Sequence, residues 1–338
     1  METGKNNIRM EWIDFLRFIA ILSVVIIHTQ GAFVEAIHGS ENWWIFNVIN
    51  SLTHFSVPIF VMISGALLLK QDIPISVFLK KRFSRILFPF LFWSIVLFIG
   101  NIVLNRPLSA DSILLSFLHD LVTNKINGVY WFIYMLIGLY SISPILAKWI
   151  HFAKICEIEY FLIIWSFTLF LNVFNVTNFA IDLNYFSGFI GYFILGYYLT
   201  VKRIASGYIS WLAILLIIVG GSITIICNYL FIGASMEAYL TPNIMILSVG
   251  VFLSIKDMSI TNFMNIDKII LKISKYSYGI YLIHAVFISM LSRVGINSLF
   301  VSPYLGSFIV ASIVIMSSVV FLEVFKRLPF TKYVSGLQ

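Results

Sequence analysis

The chain has 338 residues, of which 60% are hydrophobic and 11% charged, and its net charge is +7. Soluble domains carry about 25% charged residues, so this composition excludes a soluble globular protein and indicates a membrane protein with several spans. The positive charge does not indicate nucleic-acid binding, because the basic residues follow the pattern of membrane topology and do not form a single patch.

Apolar stretches of bilayer-spanning length recur from one end of the chain to the other. We predict about ten transmembrane helices that form a single membrane domain over residues 1–338. Their approximate bounds are 12–33, 45–69, 86–104, 128–147, 158–174, 186–201, 208–231, 238–255, 277–293 and 303–325. No small-residue cleavage site follows the first stretch, so we expect it to remain as a membrane helix and not to be removed as a signal peptide.

The connections between these stretches alternate in charge, which predicts the orientation of the chain. One set is basic and contains Lys5, Arg9, Lys70, Lys80, Lys81, Arg82, Arg85, Lys148, Lys154, Lys202, Arg203, Lys256, Lys268, Lys272, Lys275, Lys326, Arg327 and Lys332. The other set contains the acidic residues Glu35, Glu41, Asp111, Asp120, Asp182 and Glu237, with Arg106 and Lys125 as basic residues in one loop. Because basic loops remain in the cytoplasm, both termini are predicted to be cytoplasmic.

The first stretch carries three ionisable side chains at helical spacing. Asp14 precedes Arg17 by three residues, and His28 follows Arg17 by eleven. Eleven steps of about 100° place Arg17 and His28 on one helix face, about 16 Å apart along the axis. Such a face within a bilayer requires a polar cavity, a partner or a substrate. A buried Asp14–Arg17 pair with His28 reaching the outer interface is the alternative, and sequence position alone leaves both open.

The chemistry of these residues fits a reaction that joins the two sides of a membrane. Arg17 offers a planar guanidinium suited to phosphate, and His28 can accept a proton near neutral pH. With a cytoplasmic N-terminus, Arg17 lies toward the inner leaflet and His28 lies farther out. This order of residues suits a donor that enters from the cytoplasm and an acceptor that binds on the outer side of the membrane.

Other candidate residues have weaker signals. Arg82 and Arg85, three residues apart in the densest basic loop, indicate either a topology anchor or a docking site for phosphates. His54 and His284 fall near the middle of their stretches, where a histidine often forms an interhelical hydrogen bond. Trp131 begins the fourth stretch, where an interfacial aromatic belt is the alternative to a binding role.

Several residues are given packing roles or no role. Pro58, Pro144 and Pro242 are expected to kink or end helices, and Gly188–Gly191 and Gly220–Gly221 indicate close helix packing. Ser64 has no base placed beside it and is not predicted to be a nucleophile. The two cysteines have no metal-ligand spacing, and neither a phosphate-binding glycine loop nor a metal motif is present in the sequence.

Six motifs occur in order along the chain, and together they resemble the acyltransferase 3 family of membrane O-acyltransferases, which modify bacterial cell-surface glycans. They are Trp12–Arg17 followed by ten residues and His28, Val57–Gly65, Arg82–Phe90, Tyr130–Tyr140, Gly191–Tyr197 and Ser277–His284. Each motif alone is weak, but their shared order extends over most of the chain and makes the resemblance specific.

The resemblance implies an all-α membrane protein of about ten helices bundled around a polar cavity. It implies transfer of an acetyl or other short acyl group from cytoplasmic acyl-CoA to a hydroxyl of an extracytoplasmic glycan. The catalytic residues would be His28 as general base, Arg17 and Asp14, with direct transfer and an acyl-histidine intermediate both open. Arg82 and Arg85 would bind the CoA phosphates, and the substrate-binding residues would be Trp131, His54, His284 and Tyr281.

The expected donor is acetyl-CoA as a co-substrate, without a metal. The expected partners are a cell-surface polysaccharide or lipid-linked glycan and the lipid bilayer of a bacterial plasma membrane, which the chain would cross several times. Many family members carry a further hydrolase-like domain after the spans. The chain ends soon after the tenth stretch, which favours the stand-alone type.

Two other classes of function remain as alternatives at this point. A transporter of a lipid-linked sugar or an acidic metabolite would also need a polar cavity through its helices. A non-catalytic membrane scaffold would need neither His28 nor CoA. The sequence leaves the acceptor glycan, the acyl group and the oligomeric state open, and a homo-oligomer is compatible with it.

Overall fold

The computed structural model describes residues 11–33, 36–105, 113–173, 181–202, 206–231, 238–257, 267–329, 331 and 334–336. Within these residues the regular secondary structure is entirely helical. The α-helices are α1 (Glu11–Thr29), α2 (Glu41–Thr53), α3 (Ser56–Leu68), α4 (Ile75–Asn105), α5 (Ile113–Val122), α6 (Trp131–Phe152), α7 (Ile155–Val173), α8 (Ile190–Val201), α9 (Ser206–Leu230), α10 (Pro242–Asp257), α11 (Asp267–Arg293) and α12 (Gly306–Phe325). The loop charges predicted at Lys5, Arg9, Glu35, Arg106, Asp111, Arg203, Glu237 and Lys332 lie outside the described residues.

Among the described residues, seven helical segments are long and apolar enough to cross a membrane. They are Glu11–Thr29, Glu41–Leu68, Ile75–Val103, Gly128–Phe152, Ile155–Val173, Trp211–Leu230 and Gly306–Phe325. The predicted spans 186–201 and 238–255 correspond to the shorter helices α8 and α10. With 12 residues, α8 is about 18 Å long, well below the ~30 Å of a hydrocarbon core. The structure is that of a helical membrane protein, while the count of ten and the cytoplasmic termini remain predictions.

The first helix occupies the centre of the bundle. α1 packs against α2, α3, α10, α11 and α12. Its side chains Leu16, Ile21 and Val25 are fully enclosed. Because neighbouring helices surround it, α1 can carry polar side chains that lipid would not tolerate.

The second predicted span is a broken helix. α2 ends at Thr53 and α3 begins at Ser56, with His54 and Phe55 in a turn between them. Pro58 explains the break, because its ring would clash with the carbonyl of His54 and it has no N–H to bond there. The expectation that Pro58 interrupts a helix is therefore confirmed. This break places His54 at the end of α2 and not inside a continuous span.

Two glycines allow α3 and α8 to cross at very short range. A Cβ atom on Gly65 would lie 1.7 Å from the carbonyl oxygen of Phe193, and one on Gly196 would lie 2.0 Å from that of Met62. No side chain other than hydrogen fits at either position. The crossing fixes α3 against the bundle, and α3 in turn lines the cavities described below.

The other predicted glycine contacts are mostly confirmed. A Cβ atom on Gly191 would overlap the Trp165 ring, and one on Gly220 would lie 2.6 Å from the backbone nitrogen of Leu247 in α10. Gly188 is different, since nothing lies within 4 Å of its Cβ position and its φ is +84°. It forms the turn that precedes α8, so the interpretation of Gly188 as a packing residue is wrong.

The Gly65 crossing predicts an unequal response to the same mutation at two glycines. Gly65→Ala would push against backbone atoms of α8 and should lower the stability by about 3 kcal/mol or more. Gly138→Ala in α6 is the matched control, because a Cβ there meets nothing within 4 Å. Alanine is also the better helix former, so the control should be neutral or slightly stabilising. Thermal unfolding of the detergent-solubilised protein measures both, and equal melting temperatures would contradict the crossing.

Candidate active site

A buried carboxylate joins α1 to α11 and holds the arginine of the first motif. Asp14 is 6% exposed, and its Oδ1 accepts a 2.7 Å hydrogen bond from the Ser274 hydroxyl. Arg17 Nη1 lies 3.6 Å from the same oxygen. A buried carboxylate needs such partners, because its desolvation is otherwise costly. The Asp14–Arg17 pair that was one alternative from the sequence is therefore present, and Arg17 also faces a cavity.

One cavity, about 350 Å³ in volume, lies among α1, α3, α4, α6 and α11. Three guanidinium groups line it, those of Arg17, Arg82 and Arg85. The other lining residues are Phe60, Ile63, Ser64, Leu67, Leu68, Gln71, Ile86, Phe132, Leu136, Tyr140, Ser277, Tyr278 and Tyr281. No carboxylate is among the described residues that line this cavity. Its surface therefore combines concentrated positive charge with aromatic and aliphatic walls.

Arg82 is held in place but retains hydrogen-bonding capacity. Its Nη2 donates a 3.0 Å hydrogen bond to Gln71 Oε1, and the Gln71 amide donates in turn to the Leu67 carbonyl at 2.9 Å. Arg82 Nε is buried and has no hydrogen-bond partner within the described part of the chain. The charges of Arg17 and Arg85 both act on Arg82. An anion with several oxygens would bond this N–H and reduce the repulsion among the three cations.

Ser64 and Tyr140 add two hydroxyl groups to the lining of this cavity. The Ser64 hydroxyl donates to the Phe60 carbonyl at 2.9 Å and lies 3.4 Å from the Tyr140 hydroxyl. The Ser64 proton is therefore used within its own helix. Ser64 lines the cavity, and the prediction that it is not a nucleophile is unchanged.

The second cavity, about 40 Å³ in volume, contains His28. Its other lining residues are Val24, Ile27, Val57, Phe60, Val129, Trp131, Phe132, Tyr239 and Tyr281. The rings of Trp131 and Tyr239 are nearly parallel, with centroids 5.5 Å apart and an interplanar angle of 29°. His54 does not line this cavity but lies behind it, with its ring centroid 5.2 Å from that of Tyr239.

His28 has a second imidazole beside it. The ring centroids of His28 and His284 are 5.1 Å apart, and His284 is fully buried. His284 Nδ1 lies 2.7 Å from the carbonyl oxygen of Tyr281. Since a carbonyl only accepts, Nδ1 carries a proton, and in the neutral ring Nε2 therefore carries the lone pair. This Nε2 has no hydrogen-bond partner among the described residues.

A reciprocal pair of hydrogen bonds fixes the start of α6 against α11. The Tyr130 hydroxyl donates to the carbonyl of Leu282 at 3.0 Å, and the Tyr281 hydroxyl donates to the carbonyl of Val129. The first of these bonds is buried and the second is partly buried. They position Trp131 on one side and the ring of Tyr281 on the other.

The two cavities adjoin but are not one space. Phe60, Phe132 and Tyr281 belong to the lining of both. The ring centroids of Phe60 and Phe132 are 6.0 Å apart, and those of Phe132 and Tyr281 are 5.4 Å apart. The sequence led us to expect a single polar cavity around Arg17 and His28. The structure divides it with three aromatic rings, one each from α3, α6 and α11.

The structure distributes the residues singled out in the sequence over three places. Arg17, Arg82 and Arg85 line the larger cavity, His28 and Trp131 line the smaller one, and Tyr281 lines both. Asp14, His54 and His284 line neither and lie behind residues that do.

Sequence reasoning missed several residues of the two cavities. Tyr239 comes from the segment before α10, outside every motif, and Gln71 follows α3 in what reads as an ordinary loop. No spacing or periodicity in the sequence marks either residue, because each reaches its cavity only through packing between distant helices.

The fold and the site define a class: a helical membrane protein whose central helix joins an arginine-lined cavity to a histidine-containing one. The family model of the acyltransferase domain known as acyltransferase 3 matches residues 10–323, and the chain belongs to this family. The resemblance inferred from the six motifs is thereby confirmed. The family implies an acyltransferase that acts at a membrane. No curated protein and no solved structure matches the chain.

Proposed function

We propose that this protein transfers an acetyl or other short acyl group from cytoplasmic acyl-CoA to a hydroxyl of a cell-surface glycan. The observation that carries the proposal is the arrangement on α1. Arg17 faces a cavity with two further arginines, and His28 faces an adjoining one that also contains Trp131. A phosphate-bearing donor and a proton-bearing acceptor would meet between them. We place this reaction in the plasma membrane of a bacterium.

The donor would bind in the larger cavity. Ligand sites typically measure about 300–1,000 Å³, so this cavity can hold the thioester arm of CoA while the nucleotide remains at its basic rim. Arg82 and Arg85 would bind the phosphates through charge-assisted hydrogen bonds. The uncompensated N–H of Arg82 supports this assignment.

Contrast with other basic residues strengthens the assignment of the cavity arginines. Lys202 pairs with Glu159, and Lys326 Nζ lies 2.5 Å from Glu323 Oε2. These lysines have carboxylate partners, whereas no carboxylate is among the described residues lining the arginine-containing cavity. Arg17 pairs with Asp14, but Arg82 and Arg85 form no ion pair with a carboxylate within the described residues, and such positive charge is typical of an anion site.

The end of the bundle that holds Gln71 and Arg82 would face the cytoplasm. Lys256, at the end of α10, donates a 2.6 Å hydrogen bond to the Leu199 carbonyl, so the ends of α8 and α10 meet there. Burial and the nearby charge of Lys256 lower the pKa of Lys70, which follows α3. This concentration of basic residues at one end supports a cytoplasmic position.

His28 would act as the general base. It would take the proton of the acceptor hydroxyl while the hydroxyl oxygen attacks the thioester carbon. The carbon–sulfur bond then breaks, an ester is formed, and the departing sulfur receives the proton from the imidazolium. Arg17 is about 16 Å from His28 along the axis, so we assign it to binding the donor. Asp14 would fix the Arg17 guanidinium.

His284 would orient His28 for this step. Its Nε2 lone pair has no partner among the described residues, and its ring lies beside that of His28. The two rings form no hydrogen bond in this structure, but their centroids are only 5.1 Å apart, so a reorientation of the His28 ring would bring one of its nitrogens within hydrogen-bond distance of Nε2. His28 would donate from one ring nitrogen to His284 and keep the other free to accept the substrate proton.

The acceptor hydroxyl would reach into the small cavity, and the sugar that carries it would pack at the cavity's edge. Trp131 and Tyr239 present nearly parallel rings beside His28. Aromatic faces offer a rigid apolar surface on which the C–H face of a sugar can pack. His54 would support the Tyr239 ring from behind, which gives it an indirect role in substrate binding.

His28→Ala should lower the turnover number at least a hundredfold, because general-base catalysis contributes about 10² to 10⁴. The KM for acetyl-CoA should change little, since His28 does not line the larger cavity. The assay is release of free CoA from acetyl-CoA by purified protein given de-O-acylated cell-surface polysaccharide. His119→Ala, on α5, is the control and should retain wild-type activity. An active His28→Ala protein refutes the base role, and glycan or metabolite flux without CoA release would favour a transporter.

His284→Phe should lower the turnover number on the order of tenfold to a hundredfold through misplacement of the base. Neither KM should change much. His284→Gln keeps a hydrogen-bond acceptor and should recover part of the loss. Both variants are compared with wild type by melting temperature, so that loss of folding is recognised. Equal activity of the Phe and Gln variants in intact protein would remove the orienting role.

Arg82→Lys should raise the KM for acetyl-CoA about tenfold, because the planar fork is lost while the charge remains. The turnover number should be nearly unchanged. Lys81→Gln is the control, since Lys81 is exposed and does not line the cavity although it lies in the same basic cluster. If both variants raised KM equally, general surface charge and not the cavity would bind the donor.

A further inference from the structure

The three rings shared by the two cavities stand between the arginines and His28. Phe132 and Tyr281 are 7% and 6% exposed, and Phe60 is half-buried. Tyr281 is fixed by its hydrogen bond to the Val129 carbonyl. Phe60 has no polar atom in its side chain and is held by packing alone. Phe60 is therefore the most exposed of the three rings, and like Phe132 it is held by packing without a side-chain hydrogen bond.

Under the proposed function, an acyl group bound on the arginine side must pass these rings to reach His28. The space beyond them is small, about 40 Å³. A cavity needs about 10–15 Å³ of volume measured in this way to hold one water molecule, so the space accommodates about three or four heavy atoms. An acetyl group has three heavy atoms, whereas a longer chain would press against the surrounding rings.

We propose that Phe60, Phe132 and Tyr281 form an aperture that selects the acyl group by length. Acetyl passes, and each added methylene is increasingly excluded. The inference rests on the proposed function and adds the residues that limit the length of the transferred acyl group. The same rings limit water access from the His28 side to the thioester, which protects the donor from hydrolysis.

Substitution of Phe60 tests the aperture, because this ring has the fewest other roles among the three. Purified protein is given acetyl-, propionyl- and butyryl-CoA in turn with de-O-acylated cell-surface polysaccharide, and CoA release is measured. Phe60→Ala should raise the kcat/KM for butyryl-CoA relative to acetyl-CoA at least about tenfold, the scale of one or two methylenes in an apolar site. Release of CoA without acceptor should also rise.

Two further variants separate aperture effects from loss of packing. Phe161→Ala in α7 removes a ring that packs against Trp149 and Phe186 but lines neither cavity, and it should leave the donor preference unchanged. Phe60→Trp should narrow the aperture and lower the propionyl-to-acetyl ratio, which gives a second readout if Phe60→Ala does not fold.

The outcomes distinguish this inference from the function on which it rests. Wild-type protein that releases no CoA from any of the three donors overturns the proposed function, and the aperture with it. Active wild type whose donor preference is the same in Phe60→Ala and Phe60→Trp overturns the aperture alone. If the donor preference shifts in opposite directions in the two Phe60 variants and does not shift in Phe161→Ala, the aperture is supported.

Discussion

Enclosure of α1 by its neighbours is the constraint on which the rest of this structure depends. An arginine, an aspartate and a histidine on one helix can remain in a bilayer only where other helices separate them from lipid. Five helices surround α1, and its buried carboxylate bonds to Ser274 of α11. The close crossing at Gly65 and Gly196 holds α3 within this wall. Residues that serve only in packing thus allow the charged residues of α1 to lie within the bilayer.

Under the proposed function, the division into two cavities would meet two opposing demands of acyl transfer. A CoA-type donor needs cations and water-exposed phosphates, whereas a thioester next to a base must be kept from water. Aromatic rings meet both demands, since they close a passage and still leave a flat gap. In this protein, hydrogen bonds that lie outside the passage hold part of the partition in place. Tyr130 and Tyr281 use their hydroxyls to join α6 to α11, and the Tyr281 ring is left to face the cavities.

Part of the fold and of the site could be predicted from local sequence patterns, and the rest depends on packing between distant helices. The spacing of Arg17 and His28 predicts their shared face, and Pro58 predicts the break between α2 and α3, because both effects act within one or two helical turns. The shortness of α8 and the partition between the cavities were not predictable in this way. Phe60, Phe132 and Tyr281 come from three different helices, and nothing in their local sequence indicates that they meet. Gln71 and Tyr239 were missed for the same reason.

The spacing within α1 sets the scale of the proposed chemistry. A helix is a stiff connection, so eleven residues fix Arg17 and His28 about 16 Å apart whatever the neighbouring helices do. One residue more or fewer would turn His28 by about 100° and face it toward another helix. A donor suited to this separation must carry its charge and its reactive carbon far apart, on an arm slender enough to pass between rings. Acyl-CoA has this form, with phosphates at one end and the thioester at the other, so the distance along α1 itself favours such a donor over a compact acyl phosphate.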